Sequence, residues 1–160
     1  MIQAITETGF NIDIQTEDNR INTSVASTQI RHLIKFTNDL DKSVHYVYGS
    51  TETIKDRYTS INVVYVASNP DMYTGQTKLF PSGYWKYEVY EVSWIGTVTV
   101  ALGNAPATET DVLPVLPGNG VVEGLVTKGK MYVAEKAGTE QVQYTQRQEP
   151  SSTNYIYYGQ

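Results

Sequence analysis

The chain has 160 residues, no cysteine and a formal net charge of -5. The length fits one domain with a sizeable core, and the lack of cysteine excludes disulfides and thiolate-bound metals. The lysines and arginines are scattered singly, which argues against nucleic-acid binding, and no apolar run is long enough to cross a bilayer.

Alternating apolar residues predict β-strands in the first half of the chain. Phe10, Ile12 and Ile14 share one face of a strand, since side chains alternate with a period of two. A second such set is Ile30, His32, Ile34 and Phe36. Residues 50–56 predict a short helical turn. Strands are predicted in chain order over residues 9–15, 29–37, 44–48 and 59–67.

The second half contains the strongest predicted strand, residues 84–94, in which Trp85, Tyr87 and Val89 alternate with polar and aromatic residues. Further strands are predicted over residues 97–102, 121–126 and 130–134. Short strands separated by turns at this spacing indicate an all-β fold, either a single immunoglobulin-like β-sandwich or a small β-barrel, spanning residues 1–160.

A proline turn before the strongest strand sharpens this interpretation. Immunoglobulin-like sandwiches use a tyrosine at such a corner, where its hydroxyl bonds back to upstream backbone. Tyr84 and Tyr87, which follow the turn at 81–83, are the two candidates for this corner tyrosine.

Two segments do not fit a core element. Residues 103–120 contain three prolines and three glycines and form an excursion, which is either a surface loop or an arm that reaches a partner. Residues 146–160 form a C-terminal arm that ends in aromatic residues, which is unusual for a free tail. This end either adds a strand to its own sheet or docks on a neighbour. The candidate subunit-contact residues are Val115, Leu116, Tyr155, Ile156, Tyr157 and Tyr158.

No catalytic, cofactor-binding or metal site is predicted. His32 and His45 lack the spacing of a zinc site, and Glu88 and Glu91 lie on opposite faces of one strand, so they do not form a glycosidase pair. Trp85 is expected in the core rather than on a sugar-binding platform. A small hydrolase with an unrecognised site stays open, and buried carboxylates clustered in a cleft would favour it.

Five stretches carry a resemblance that covers most of the chain: FTND at 36–39, KDRYT at 55–59, GYWKYEVYE at 83–91, GKMYV at 129–133 and NYIYY at 154–158. They resemble a group of small uncharacterised virion proteins of tailed double-stranded DNA phages. The resemblance implies a non-enzymatic structural protein, either a capsid decoration protein or a ring or adaptor at the head–tail junction. It identifies no catalytic residue.

The resemblance also implies a setting. The chain would be made in the host cytoplasm, without a cleaved leader, and would reside in the virion. Its partners would be other capsid, neck or tail proteins, with many symmetric copies and no nucleic acid, membrane or cofactor. The alternative is a carbohydrate-binding β-sandwich of a receptor-binding device, which would require exposed, coplanar Trp85 and Trp94 rings.

Overall fold

The protein is built from β-strands and short 3-10 turns. The computed structural model describes residues 1–138, with the side chain of Glu17 excepted. The strands are β1 (Ile2–Ile5), β2 (Phe10–Ile14), β3 (Ile30–Asn38), β4 (Val44–Tyr48), β5 (Thr51–Ile54), β6 (Thr59–Tyr65), β7 (Gln76–Thr77), β8 (Gly83–Trp94) and β9 (Gly120–Ala134). The 3-10 turns are Glu17–Asn19, Ser27–Gln29 and Met72–Thr74.

The strands form two sheets that pack as a sandwich. One sheet has the order β1-β9-β8-β3-β4, and the other has the order β2-β6-β5 with β7 paired to β6. Strand β1 runs parallel to β9, whereas the pairs β9–β8, β8–β3 and β3–β4 are antiparallel. The predicted all-β sandwich is confirmed, and the sheets do not close into a barrel. Strands β9-β8-β3-β4 and β2-β6-β5 follow the G-F-C-C′ and B-E-D order of immunoglobulin-like domains.

The main core lies between the two sheets. The predicted inward faces of β2 and β3 are confirmed, because Ile12 and Phe36 are fully buried while Asn11 and Asp13 are exposed. Each large side chain buried here contributes about 1.5–3 kcal/mol of hydrophobic stabilisation. The buried members are Ala4, Ile12, Ile14, Ile34, Phe36, Val47, Ile61, Val63, Leu79, Trp85, Val89, Met131 and Val133.

A second core covers the outer face of the five-stranded sheet. Leu33 and Val92 point away from the main core and are nevertheless fully buried, together with Trp94. The cover is the connection between β8 and β9, residues 95–119, of which Ala105 is buried against the sheet. The middle of this sheet is therefore apolar on both faces.

Three local expectations were wrong. Where a helical turn was predicted over residues 50–56, residues 51–54 form strand β5, because they pair with β6 in a hairpin. Residues 121–126 and 130–134 belong to one strand, β9, and not to two. Its pairing with β8 continues through two shifts in register, so the strand does not end between these segments. Residues 97–102 form no strand, because the chain turns at Gly96, whose φ is 87°.

Candidate interaction surfaces

The connection between β8 and β9 begins as a packed layer. Ala105 lies against the second core, and the hydroxyl of Tyr48 donates a hydrogen bond of 2.7 Å to the carbonyl of Pro106. Burial raises the pKa of Tyr48, so its hydroxyl stays a donor. The first part of the predicted excursion is thus fixed to the protein's own sheet.

Glu109 is the polar anchor of the connection. Its carboxylate accepts hydrogen bonds from Lys35 Nζ on β3 and from the Tyr46 hydroxyl on β4. Lys35 Nζ also lies 3.5 Å from Glu88 on β8. The hydrogen bond to Glu109 is the main cause that raises the pKa of Lys35. Burial and the bond to Glu109 raise the pKa of Tyr46 to about 12.

The charge on Glu109 is itself stabilised by this arrangement. Burial acts to raise its pKa, but the hydrogen bonds from Lys35 and Tyr46 outweigh burial, and the pKa of Glu109 lies below its ordinary value. This cluster is not visible in the sequence, since no local pattern connects Glu109 with a lysine 74 residues earlier.

After this anchor the chain turns outward. Asp111 closes the turn by accepting hydrogen bonds from the backbone N–H groups of Ala107 and Thr108 and from the Thr108 hydroxyl. These bonds hold the pKa of Asp111 below its ordinary value. The turn sets the direction in which residues 112–117 leave the sheet.

Residues 112–117, with the sequence VLPVLP, form an exposed segment that we call the apolar ridge. Val112, Val115 and Leu116 are 92%, 68% and 57% exposed. The amide of Asn119 donates to the carbonyl of Pro114 at 3.0 Å, and the Gly118 N–H donates to the carbonyl of Ile95 at 3.3 Å. The Gly118 bond ties the end of the ridge to the residue after β8, whereas the Asn119 bond is a local one. On the other side of the ridge, Glu109 is bonded to β3 and β4.

The predicted contact residues have different outcomes. Val115 and Leu116 lie on the apolar ridge and are accessible for contact, and their role in subunit contact stays a prediction. Tyr155, Ile156, Tyr157 and Tyr158, with the rest of the predicted arm at 146–160, lie outside the described residues.

The corner before β8 is closed by a tryptophan. Trp85 Nε1 donates a hydrogen bond of 3.1 Å to the carbonyl of Pro81, four residues upstream. Tyr84, a predicted corner tyrosine, is exposed and lies against Tyr132 of β9 with ring centroids 5.1 Å apart. Tyr87, the other candidate, lies over Gly129, where a Cβ atom would approach its ring to less than 3 Å. Trp85, and not a tyrosine, makes the hydrogen bond at this corner because its side chain is buried over the turn, whereas that of Tyr84 is exposed.

The exposed part of the five-stranded sheet next to Tyr84 carries two lysines that face each other. Lys86 of β8 pairs directly with Lys130 of β9. Lys86 also lies 3.7 Å from Asp39. Like charges in directly opposite positions destabilise a sheet, so this pair is a local cost in stability.

Buried carboxylates do converge at one place, as the hydrolase hypothesis requires. Glu52 binds both the backbone N–H of His32, at 2.9 Å, and His32 Nδ1, at 2.8 Å. Glu91 accepts from the backbone N–H groups of Ile21 and Asn22 at 2.9 and 2.8 Å. The cavity beside them, of about 30 Å³, has room for about one water. These carboxylates tie β5 and the connection before β3 to the sheet.

Both tryptophans are core residues. Trp85 and Trp94 are fully buried, as expected for packing and unlike the exposed, coplanar rings of a sugar-binding platform. The exposed tyrosine pair of Tyr84 and Tyr132 is tilted by 56° and is not coplanar either.

Comparison with known proteins finds no relative: the chain matches no family model, no curated protein and no solved structure. Within residues 1–138 no helix has the length and apolar character needed to cross a bilayer. In the same residues no three histidine or carboxylate side chains are grouped to hold a metal ion. The surfaces described above are therefore the basis for assigning a function.

Proposed function

We propose that the chain is a non-enzymatic structural protein of a tailed-phage virion, either a capsid decoration protein or a ring or adaptor protein at the head–tail junction. It acts in many symmetric copies through contacts with other virion proteins. It is made in the host cytoplasm, and an absence of cysteine suits that reducing compartment.

The observation that carries this proposal is the apolar ridge. Exposed apolar side chains cost solubility and commonly mark contact sites when they are contiguous. Here Val112, Val115 and Leu116 are exposed within six residues of one another. The flanking residues Glu109 and Gly118 are hydrogen-bonded to the sheet and to Ile95. A segment that is fixed before binding loses little conformational entropy on contact, which favours a docking role.

The architecture also suits a particle component. The middle of the larger sheet is covered on both faces, and the Glu52, Glu91 and Glu109 carboxylates are used in anchoring bonds. The cluster of His32, Glu52 and Glu91 is occupied by backbone partners, which supports a structural rather than a catalytic role. The burial of Trp85 and Trp94 removes the basis on which the carbohydrate-binding alternative was drawn.

Particle composition tests the proposal directly. Tailed particles purified from the host that carries the gene should contain the chain by mass spectrometry, and antibodies against it should label the head or neck in electron micrographs. If purified particles lack the chain, the proposal is wrong.

A variant links this result to the ridge. Particles assembled with Leu116→Asp in place of the wild-type chain should lose most of the protein, because a charge on the ridge has to be desolvated in the contact. Leu40→Asp is the matched control, since Leu40 is 82% exposed in the turn between β3 and β4. It should be incorporated like the wild type.

A further inference from the structure

Three lysines are clustered on the outer face of the five-stranded sheet. Lys86 lies on β8, and Lys128 and Lys130 lie two residues apart on β9, so all three side chains are on the same side of the sheet. All three are exposed. Beside them lie Tyr84 and Tyr132, which are 59% and 38% exposed. We call these five residues the cationic face.

The cationic face has few carboxylate partners. Lys86 Nζ lies 3.7 Å from Asp39. In the part of the chain that the structure describes, neither Lys128 nor Lys130 forms a salt bridge. The whole chain has a net charge of -5, so this concentration of unpaired positive charge is a local exception on an acidic protein.

The arrangement of the lysines favours a bound anion. Lys86 and Lys130 are directly opposite each other on neighbouring strands, which places their Cβ atoms about 4.5–5.5 Å apart and destabilises the free protein. A carboxylate between the two ammonium groups removes this repulsion and accepts charge-assisted hydrogen bonds from both. Features that lower stability in this way are typical of functional sites.

We propose that the cationic face binds an acidic segment of a partner protein, with one carboxylate between Lys86 and Lys130 and a second carboxylate at Lys128. Alternate side chains on one strand are about 6.5–7 Å apart, and this spacing is the same in β9 and in an extended partner segment. The inference rests on the proposed function for its biological setting, in which the partner is another virion protein. It adds a second contact surface to the apolar ridge.

The size and composition of the cationic face favour a protein over a nucleic acid. DNA-binding proteins commonly contact about 6–10 phosphates, whereas this face has three lysines and is bordered by the carboxylates of Asp39 and Glu88. A phosphate chain that continued past the lysines would meet these carboxylates. Tyrosines such as Tyr84 and Tyr132 are common in protein interfaces, because the ring buries apolar surface while the hydroxyl forms hydrogen bonds.

Fluorescence anisotropy with the full chain and a labelled peptide of alternating glutamate and serine tests the inference. At about 10 mM salt, where charges act over about 30 Å, the wild type should bind the peptide, and binding should weaken as salt is added. Lys130→Glu should bind about five- to tenfold more weakly, because it removes one cation and repels the carboxylate. The substitution also removes the repulsion from Lys86, so the weaker binding is not caused by unfolding.

The matched control is Lys55→Glu, which changes the net charge by the same amount. Lys55 is exposed and follows β5 on the smaller sheet, so this variant should bind the peptide within about twofold of the wild type. Equal weakening by the two substitutions would mean that net charge alone attracts the peptide, and the inference would be wrong. A wild type that does not bind the peptide at low salt also overturns it.

A second probe separates protein from nucleic acid. A single-stranded DNA oligonucleotide with the same number of negative charges as the peptide should bind more weakly than the peptide. Tighter binding of the oligonucleotide that is lost in Lys130→Glu would assign the cationic face to a nucleic acid and overturn the inference.

The outcomes also distinguish this inference from the proposed function. Absence of the chain from particles would refute the virion role and leave a measured binding of acidic peptide standing. Failure of the purified chain to bind the peptide would refute the role of the cationic face and leave particle incorporation to be judged by its own test.

Discussion

Replacing Glu109 with glutamine removes the anchor of the connection between β8 and β9 while keeping its shape. The carboxylate accepts from two donors, Lys35 Nζ and the Tyr46 hydroxyl. A glutamine offers one oxygen acceptor in the same space and turns an N–H₂ donor toward the other partner. The change therefore breaks at least one charge-assisted bond and leaves Lys35 with Glu88 at 3.5 Å.

The expected loss follows from the burial of the pair. Hydrogen bonds to charged groups contribute about 1.5–3 kcal/mol when buried. The side chains of Lys35 and Glu109 are each 20% exposed, so part of this value is lost to solvent screening. We expect Glu109→Gln to lower the free energy of unfolding by about 1–2 kcal/mol.

Urea unfolding followed by tryptophan fluorescence measures this loss, because Trp94 lies in the core beneath the connection. The slope of unfolding free energy against urea should not change, whereas the midpoint should fall. Glu88→Gln is the matched control: Glu88 shares Lys35 but is 34% exposed, so its replacement should cost about 0.5 kcal/mol or less.

The bond between Glu109 and Lys35 also predicts that stability depends on pH. The pKa of Glu109 is lower in the folded state than its ordinary value of 4.5, so its contribution is complete above that value and is lost as pH falls through the folded-state pKa. The stability difference between wild type and Glu109→Gln should shrink below about pH 4.5. A difference under about 0.3 kcal/mol at neutral pH, or an equal loss in Glu88→Gln, would refute the reasoning.

Other predictions concern the sheets. Lys130→Glu replaces the repulsion from Lys86 across the strands with attraction and should raise the unfolding free energy by about 0.5 kcal/mol. Lys128 already faces the carboxylate of Glu88, so Lys128→Glu should lower the unfolding free energy by a similar amount. Gly75→Ala should cost about 2–4 kcal/mol, because φ is 81° and a Cβ would lie 2.2 Å from a backbone nitrogen. Gly103→Ala, with φ of 84° and open space around it, should cost about 1–2 kcal/mol. Chemical denaturation measures all four, and a loss at Gly103 equal to that at Gly75 would contradict the steric explanation.

The candidate surface was only partly visible in the sequence. Its composition separated residues 103–120 from the core elements and placed Val115 and Leu116 among possible contacts. It did not indicate that the connection starts at residue 95 and packs on the sheet through Ala105. Neighbouring residues in the sequence indicate that a segment is irregular, but they do not indicate which distant surface the segment covers.

The sequence by itself determined the strands with a clear period of two and the side on which each buries its apolar residues. Ile12, Phe36 and Trp85 are buried as the alternation of side chains requires. Alternation is a property of neighbouring residues, and neighbours in the chain are enough to define the faces of a strand.

Tertiary structure decided the features that depend on remote partners. Leu33 is buried on what would otherwise be a solvent face because residues 95–119 fold over it, and Glu109 finds Lys35 from 74 residues away. The corner bond belongs to Trp85, although its neighbour Tyr84 has an equally suitable donor, because the corner directs Trp85 inward. Such contacts form only when separate elements pack against each other, and the free energy of that packing depends on residues that are far apart in the sequence.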